Sequence, residues 1–168
     1  MATVKFLNAA GKYDDPDARA TVLSYILQQS KTCSGFVGCC GVELSMAAEQ
    51  MQALAESYKK DNKVRLRHFV VSFYHAETMM LKQVQWIAEG ICQELGQTYQ
   101  VVYAVHEDTL SPHIHFVFNP VGYDGHKYSG TKEEYHNLKN LLWRHLSHYG
   151  IRMFYEVKYR PEAQNAYE

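Results

Sequence analysis

The sequence predicts an α+β fold in which a central antiparallel sheet is flanked by helices. Several short segments alternate in polarity or are rich in β-branched and aromatic residues, as strands are. Longer segments between them repeat apolar residues at helical spacing. Two strand-like segments, residues 99–105 and 112–119, are separated by a very short link, and so short a link joins antiparallel neighbours.

The N-terminal segment begins with a short predicted strand at residues 3–7. Asp15 and Pro16 have the residue types of a helix N-cap and of a first helical position, so we expect the first helix to begin there. Its apolar residues recur at helical spacing, and the helix carries Tyr25 before it ends near Ser30.

The middle of the chain predicts a loop, a helix, a strand and a further helix. Residues 32–41 are rich in glycine and cysteine and are expected to form the loop. Ser45 is expected to cap the second helix. Residues 65–73 have the composition of a strand, and the third helix is expected to follow Thr78.

The C-terminal part predicts a turn, a helix and a closing strand. Residues 123–126 have the composition of a turn. Thr131 and Glu134 have the spacing of a capping box, and Gly150 stands where a helix-ending glycine is expected, so the last helix should lie between them. Residues 151–158 are expected to add a final strand to the sheet.

The composition is that of one globular domain, with 168 residues of which 46% are hydrophobic and 21% charged. We expect a catalytic domain over residues 1–160 and a polar tail over residues 161–168. The sequence shows neither a membrane-spanning segment nor a leader, so we expect no membrane partner and a cytoplasmic location. The four cysteines are not spaced as a disulfide framework, and the net charge of −1 argues against coating DNA through bulk charge.

Three histidines around the predicted hairpin have the pattern of a metal site. Successive side chains of a strand point to opposite faces, so His113 and His115 share one face. His106 ends the preceding strand, and the short link can bring it beside them. Three converging imidazoles can bind a divalent metal and leave positions open for substrate. Asp108 could orient one of them. The alternative is that the histidines are polar residues of a solvated sheet face.

These residues also carry a resemblance to a known family. The pattern H-x-D-x4-H-x-H-x3-N resembles the third motif of plasmid and conjugative-element relaxases, which are HUH (His-hydrophobic-His) endonucleases. In this sequence it comprises His106, Asp108, His113, His115 and Asn119.

Two weaker matches occur in the order that the family shows. Residues 23–32, in which Tyr25 precedes Lys31 and Thr32, resemble the family's first motif. Residues 67–73, followed by Glu77, are similar to its Ser-Phe strand before a helix.

The resemblance implies the HUH palm fold and the nicking and resealing of single-stranded DNA, specific for site and strand, at an origin of transfer. It implies that Tyr25 attacks the scissile phosphate and becomes linked to the 5′ end. It further implies that His106, His113 and His115 bind Mg²⁺ or Mn²⁺, and that accessory mobilisation proteins are candidate partners.

Other roles are expectations from residue chemistry. Asp108 could help to deprotonate the tyrosine, for which Tyr123 and Tyr128 are rivals of Tyr25. Phosphate contacts could come from Lys31 and Lys127, and Asn119 could contact DNA or hold the histidine face in place. Lys31, Lys127 and Asn119 could equally be ordinary solvated side chains.

Three other functions remain open from the sequence. The first is a rolling-circle replication initiator or transposase of the same superfamily, in which the tyrosine commonly follows the histidine motif. The second is a catalytically idle DNA-binding accessory protein. The third is an unrelated metal hydrolase that activates water.

Overall fold

The computed structural model describes residues 1–32, 36–74 and 81–156. Within these ranges the chain forms one six-stranded sheet with four helices. The strands are β1 (Ala2–Leu7), β2 (Val37–Cys40), β3 (Arg67–Phe73), β4 (Val101–His106), β5 (His113–Phe118) and β6 (Met153–Glu156). The helices are α1 (Ala18–Ile26), α2 (Ala47–Ser57), α3 (Leu81–Leu95) and α4 (Lys132–His148).

The strand order across the sheet is β2-β4-β5-β3-β1-β6. Every neighbouring pair is antiparallel except β1 and β6, which run parallel at one edge. The predicted α+β class is confirmed, and the arrangement is consistent with an HUH palm. No helix of the described ranges is long and apolar enough to cross a membrane.

The sheet is covered on both faces, and the two sides of β5 lie in different cores. Ile114, Phe116 and Phe118 pack under α3 and α4 in the larger core. On the opposite face, Val117 packs with apolar residues of α1 and α2. His115 lies on this second face two residues before Val117, and both His115 and His106 are buried, so the solvated-face alternative does not describe these two histidines.

The start of the first helix differs from the prediction. The helix begins at Ala18, and it is preceded by a turn in which the carboxylate of Asp15 accepts a hydrogen bond from the Asp17 backbone N–H at 2.7 Å. The helix also ends earlier than expected, at Ile26. Ser45 does not cap the second helix, since it lies in a short 3-10 helix, Leu44–Met46, that precedes α2.

The segment predicted as a glycine- and cysteine-rich loop contains β2, which pairs with β4. Gly38 lies opposite Tyr103 in this pair, and a Cβ on Gly38 would stand only 2.4 Å from Cε1 of the tyrosine ring. The glycine therefore allows the ring to lie across the edge strand. The sequence prediction failed here because a four-residue strand with a central glycine resembles a loop.

Most C-terminal elements agree with the prediction. The Thr131 hydroxyl accepts from Glu134 N at 3.2 Å, and the Glu134 carboxylate accepts from Thr131 N at 2.9 Å, which confirms the capping box. Gly150 follows α4 with φ of +70°, a left-handed conformation that favours glycine. The predicted start of the third helix after Thr78 and the proposed tail at 161–168 lie outside the described residues.

Candidate metal centre and neighbouring tyrosine

The hairpin of β4 and β5 brings the three predicted histidines together. His106 and His113 are direct cross-strand partners, and His115 follows on the same face. One ring nitrogen of each histidine lies within 4.8 Å of the others. The ring centroids of His106 and His115 are 4.4 Å apart, and each lies slightly more than 5 Å from that of His113.

Backbone carbonyls fix the tautomers of two of these histidines. His106 Nε2 lies 2.7 Å from the carbonyl oxygen of Ile26, and His113 Nδ1 lies 3.2 Å from that of Ser111. A carbonyl can only accept a hydrogen bond, so each of these nitrogens carries the proton. The other nitrogen, Nδ1 of His106 and Nε2 of His113, keeps the lone pair that a metal requires.

A fourth histidine, His68, is hydrogen-bonded to His115, the third of the predicted metal ligands. Nδ1 of His115 lies 2.8 Å from Nε2 of His68, and Nδ1 of His68 lies 2.9 Å from the Tyr13 hydroxyl. If Nε2 of His115 binds a metal, its Nδ1 must carry the proton and donate to His68. His68 then donates in turn to the Tyr13 oxygen, so this chain can hold His115 in the ligand tautomer.

Burial keeps the inner histidines neutral. Desolvation, reinforced by neighbouring positive charges, lowers the pKa of His115 to about 2 and that of His68 to about 3. Burial also lowers the pKa of His106, an effect that its bond to Ile26 and the charge of Asp108 partly oppose. Only a neutral imidazole offers a lone pair to a metal, so these directions suit a ligand set.

The residues fit a divalent metal ion. The cluster offers one nitrogen donor from each of three rings, and each ring also has a hydrogen-bond partner, which is the arrangement of metal-binding histidines. Imidazole donors suit first-row transition ions, whereas Mg²⁺ prefers oxygen ligands. Three imidazole donors of this cluster can therefore hold a divalent metal ion.

Tyr25 lies beside this cluster, near the C-terminal end of α1. Its ring centroid is 6.2 Å from that of His106 and 5.8 Å from that of His115. The side chain is 41% exposed, so it is accessible from solvent. The Lys31 ammonium lies 4.4 Å from the ring centroid and the Lys12 ammonium 5.9 Å from it, which gives the neighbourhood a local positive charge.

The two rival tyrosines, Tyr123 and Tyr128, lie away from the histidines. Both follow the far end of β5, and that strand extends about 17 Å from His113 to Phe118 at the usual rise per residue. The Tyr123 hydroxyl donates to the Tyr99 carbonyl oxygen at 3.2 Å, and Tyr128 is buried in the larger core. Of these three tyrosines, only Tyr25 is brought to the cluster.

The other predicted site residues divide into two groups. Lys31 and Asp108 lie near the cluster: Lys31 contacts Tyr25, and Asp108 is an exposed residue of the hairpin link whose charge acts on His106. Asn119 and Lys127 follow the far end of β5, so the structure does not bring them to the histidines.

Asn119 and Lys127 bind protein groups. Asn119 is fully buried, and its amide nitrogen donates to the Met51 carbonyl oxygen at 2.9 Å and to Gln100 Oε1 at 3.0 Å. The Lys127 ammonium donates to the backbone carbonyl oxygens of Lys60 and Asn62. Asn119 thus joins the end of β5 to α2, and its full burial leaves it no surface for a DNA contact.

The sequence left His68 unassigned, and it gave Tyr13 and Lys12 no role. The positions of His68 and His115 in their strands do not reveal that the two side chains meet. The contact depends on the register of β3 against β5, in which Val70 lies opposite His115 and His68 lies diagonally from it. Knowledge of that register would have identified His68 as the residue behind the third ligand.

Together, the sheet, the three convergent histidines and the neighbouring tyrosine define an α+β domain with the features expected of an HUH endonuclease. Residues 25–151 match the family described as "Relaxase: MobA/VirD2-like, nuclease domain". The chain therefore belongs to the relaxase family, as the resemblance of its motifs implied. No curated protein matches the chain. Membership of this family supports a role as a nicking endonuclease in mobilisation, acting on single-stranded DNA.

Proposed function

We propose that this chain nicks and reseals single-stranded DNA at a specific site and strand of an origin of transfer, through a covalent bond between Tyr25 and the 5′ phosphate. The observation that carries the proposal is the position of the Tyr25 ring, 6.2 and 5.8 Å from the rings of His106 and His115. A solvent-accessible phenol beside three metal-type histidines is the arrangement that nucleophilic attack on a metal-bound phosphate needs.

In the proposed reaction the Tyr25 oxygen bonds to phosphorus as the bond between phosphorus and the 3′ oxygen breaks. The phenol loses its proton, and the leaving 3′ oxygen takes one up. Asp108 is a candidate to accept the phenol proton, and Lys31 supplies positive charge beside the attacking group. Because an aryl phosphate is itself reactive, the free 3′ hydroxyl can attack it and restore the strand.

His106, His113 and His115 would hold the divalent ion, Mn²⁺ or Mg²⁺, close to the phosphate. When bound, the ion would polarise the non-bridging oxygens and stabilise charge on the leaving oxygen. The hydrogen bonds to Ile26, Ser111 and His68 would keep the three rings oriented before the substrate arrives.

A covalent adduct is the direct test. The protein is incubated with Mn²⁺ and random-sequence single-stranded oligonucleotides, which avoids assuming the target, and the products are separated on a denaturing gel. Oligonucleotides labelled at the 3′ end should transfer label to the protein, because the fragment downstream of the nick carries the 5′ phosphate. Oligonucleotides labelled at the 5′ end should give only shortened free strands.

Tyr25→Phe should abolish the labelled adduct, whereas the matched variant Tyr123→Phe, which loses a hydroxyl at the far end of the sheet, should keep it. Cleavage without any adduct would instead favour a hydrolase that uses water. DNA binding with neither cleavage nor adduct, at any candidate sequence, would favour the idle DNA-binding protein.

A further inference from the structure

A cavity opens at the end of the sheet opposite the histidine hairpin, where β3 begins and β5 ends. Its volume is about 660 Å³, within the range of small-molecule sites. The loop after β1, the start of β3 and residues 128–130 surround it. Of the residues that form or support the histidine cluster, only Tyr13 and His68 also line this cavity.

Aromatic rings form one wall of the cavity. Phe6 and Tyr135 are half-buried, and their ring centroids are 5.0 Å apart. Phe69 lies behind Phe6 at a centroid distance of 5.7 Å. Partly covered rings of this kind offer apolar surface for a planar group, and unpaired bases stack on such rings without regard to sequence.

Arg67 supplies positive charge to the same cavity. Its Nη2 donates to the Tyr128 carbonyl oxygen at 3.3 Å, and the guanidinium carbon lies 5.3 Å from the Tyr128 ring centroid. Its Nε is buried and has no partner among the described residues. No described carboxylate forms an ion pair with Arg67, in contrast to Arg65, which lies 3.5 Å from Asp61.

Arg67 lines the cavity without a carboxylate partner among the described residues, so a ligand with an anionic oxygen would gain a charge-assisted hydrogen bond from its guanidinium. Arginine stays charged even when burial lowers its pKa, as burial does here, and its planar group matches phosphate. Asp14 and Lys63 also line the cavity and carry opposite charges. Because the charges of Asp14 and Lys63 offset each other, the charge of Arg67 makes the cavity favour an anionic ligand.

We propose that this cavity binds one nucleotide unit of the single-stranded DNA, with the base against Phe6 and Tyr135 and the phosphate on Arg67. The proposal rests on the proposed function, because that function makes single-stranded DNA the substrate. A purely apolar ligand would leave the Arg67 charge without a counter-ion, and inorganic phosphate would leave the aromatic wall uncovered. A nucleotide meets both requirements.

The test uses thymidine 5′-monophosphate as the probe and the whole chain in EDTA, so that no metal bridges the phosphate. Binding is followed by amide NMR shifts of isotope-labelled protein, with thymidine and inorganic phosphate as partial ligands. The nucleotide should bind more tightly than either. Arg67→Gln should weaken it about tenfold or more. Arg144→Gln, which removes the same charge from the exposed face of α4, should leave it unchanged.

Tyr135→Leu is a second variant, in case Arg67→Gln does not fold, and it should also weaken nucleotide binding. An oligo(dT) strand should displace the nucleotide; if it does not, the ligand is a free nucleotide and the proposal is overturned. It is also overturned if the nucleotide does not bind, or if the folded variants bind it as the wild type does.

The adduct assay on the same preparations separates the two proposals. If the wild type forms the Tyr25 adduct but does not bind the nucleotide, the cavity proposal alone is overturned. If the wild type binds the nucleotide but forms no adduct, the nicking mechanism alone is overturned and the chain remains a DNA-binding protein.

Discussion

His106 and Ile26 are joined by a hydrogen bond of 2.7 Å between the histidine Nε2 and the backbone carbonyl oxygen. Ile26 is the last residue of α1 and follows Tyr25 directly. The last carbonyls of a helix have no partner within the helix, so a histidine of the metal cluster satisfies one of them. This bond connects the end of the helix that carries the proposed nucleophile to the proposed metal site.

The first prediction concerns that bond. His106→Ala should lower the free energy of unfolding by about 2–3 kcal/mol in EDTA, because it leaves a buried carbonyl without a donor and removes buried volume. His113→Ala, at the half-buried start of β5, should cost less than about 1 kcal/mol. Urea unfolding curves measure both values. Equal losses would show that the bond to Ile26 does not stabilise the helix end.

The second prediction concerns metal binding. The wild type should bind about one Mn²⁺ ion per chain, and His113→Ala should lose that binding because one of three donors is gone. Isothermal calorimetry measures both, and it needs no knowledge of the target DNA. His136→Ala, which removes an exposed histidine of α4, is the matched control and should bind like the wild type. If the wild type binds no Mn²⁺ either with or without single-stranded DNA, the three-histidine site is falsified.

Removal of the metal should also lower the thermal stability of the protein. An ion that binds only the folded state stabilises it by about 2.7 kcal/mol when its concentration is one hundred times the dissociation constant. Wild type should therefore unfold at a lower temperature after EDTA treatment, while His113→Ala should not respond.

The third prediction concerns His68, which contacts no metal and acts through His115. His68→Ala should weaken Mn²⁺ binding about 10–100-fold, because His115 loses the partner that orients it. His68→Gln should recover part of the affinity, since a glutamine oxygen can accept from His115 Nδ1. Tyr13→Phe leaves the bond between His68 and His115 in place and should have a smaller effect. Equal affinity in His68→Ala and wild type would mean that His115 needs no such support.

The fourth prediction concerns the Glu134 carboxylate at the start of α4. Burial would raise its pKa, but hydrogen bonds from His126 and from the Thr131 and Ser129 backbone outweigh that and lower the pKa from 4.5 to about 2. A depressed carboxyl pKa stabilises the fold above pH 4.5, and the contribution is lost as the pH falls toward 2.

Glu134→Ala should therefore cost about 1–2 kcal/mol at pH 7, and the difference from wild type should shrink as the pH falls through that interval. Glu133→Ala, at the neighbouring exposed position, should cost less at every pH. Thermal unfolding between pH 2 and pH 7 measures the trend. A difference that does not depend on pH would assign the effect to packing.

The histidine cluster could be predicted because it depends on local rules. Strand periodicity places His113 and His115 on one face, and the short link brings His106 beside them. The capping box of α4 is equally local, since Thr131 and Glu134 are only three residues apart. In each case the residues that form the structure are close in sequence.

Features that depend on distant contacts could not be predicted. His68 supports His115 only because β3 is the neighbour of β5 in a particular register. Asn119 was a candidate for DNA contact, and its burial depends on α2 packing over the end of β5. β2 was missed because its pairing with β4 and the ring of Tyr103 compensate for a sequence that resembles a loop.

The position of β1 between β3 and β6 has a consequence for biosynthesis. β1 can pair with β3 once Phe73 has left the ribosome. Its other edge has no partner until β6, which begins at Met153, is synthesised about 80 residues later. At common elongation rates this interval is about 4–16 s. The nascent chain would expose an unpaired strand edge throughout that time. Translation pauses before the last strand should therefore promote aggregation, and ribosome-associated chaperones should matter most in that interval.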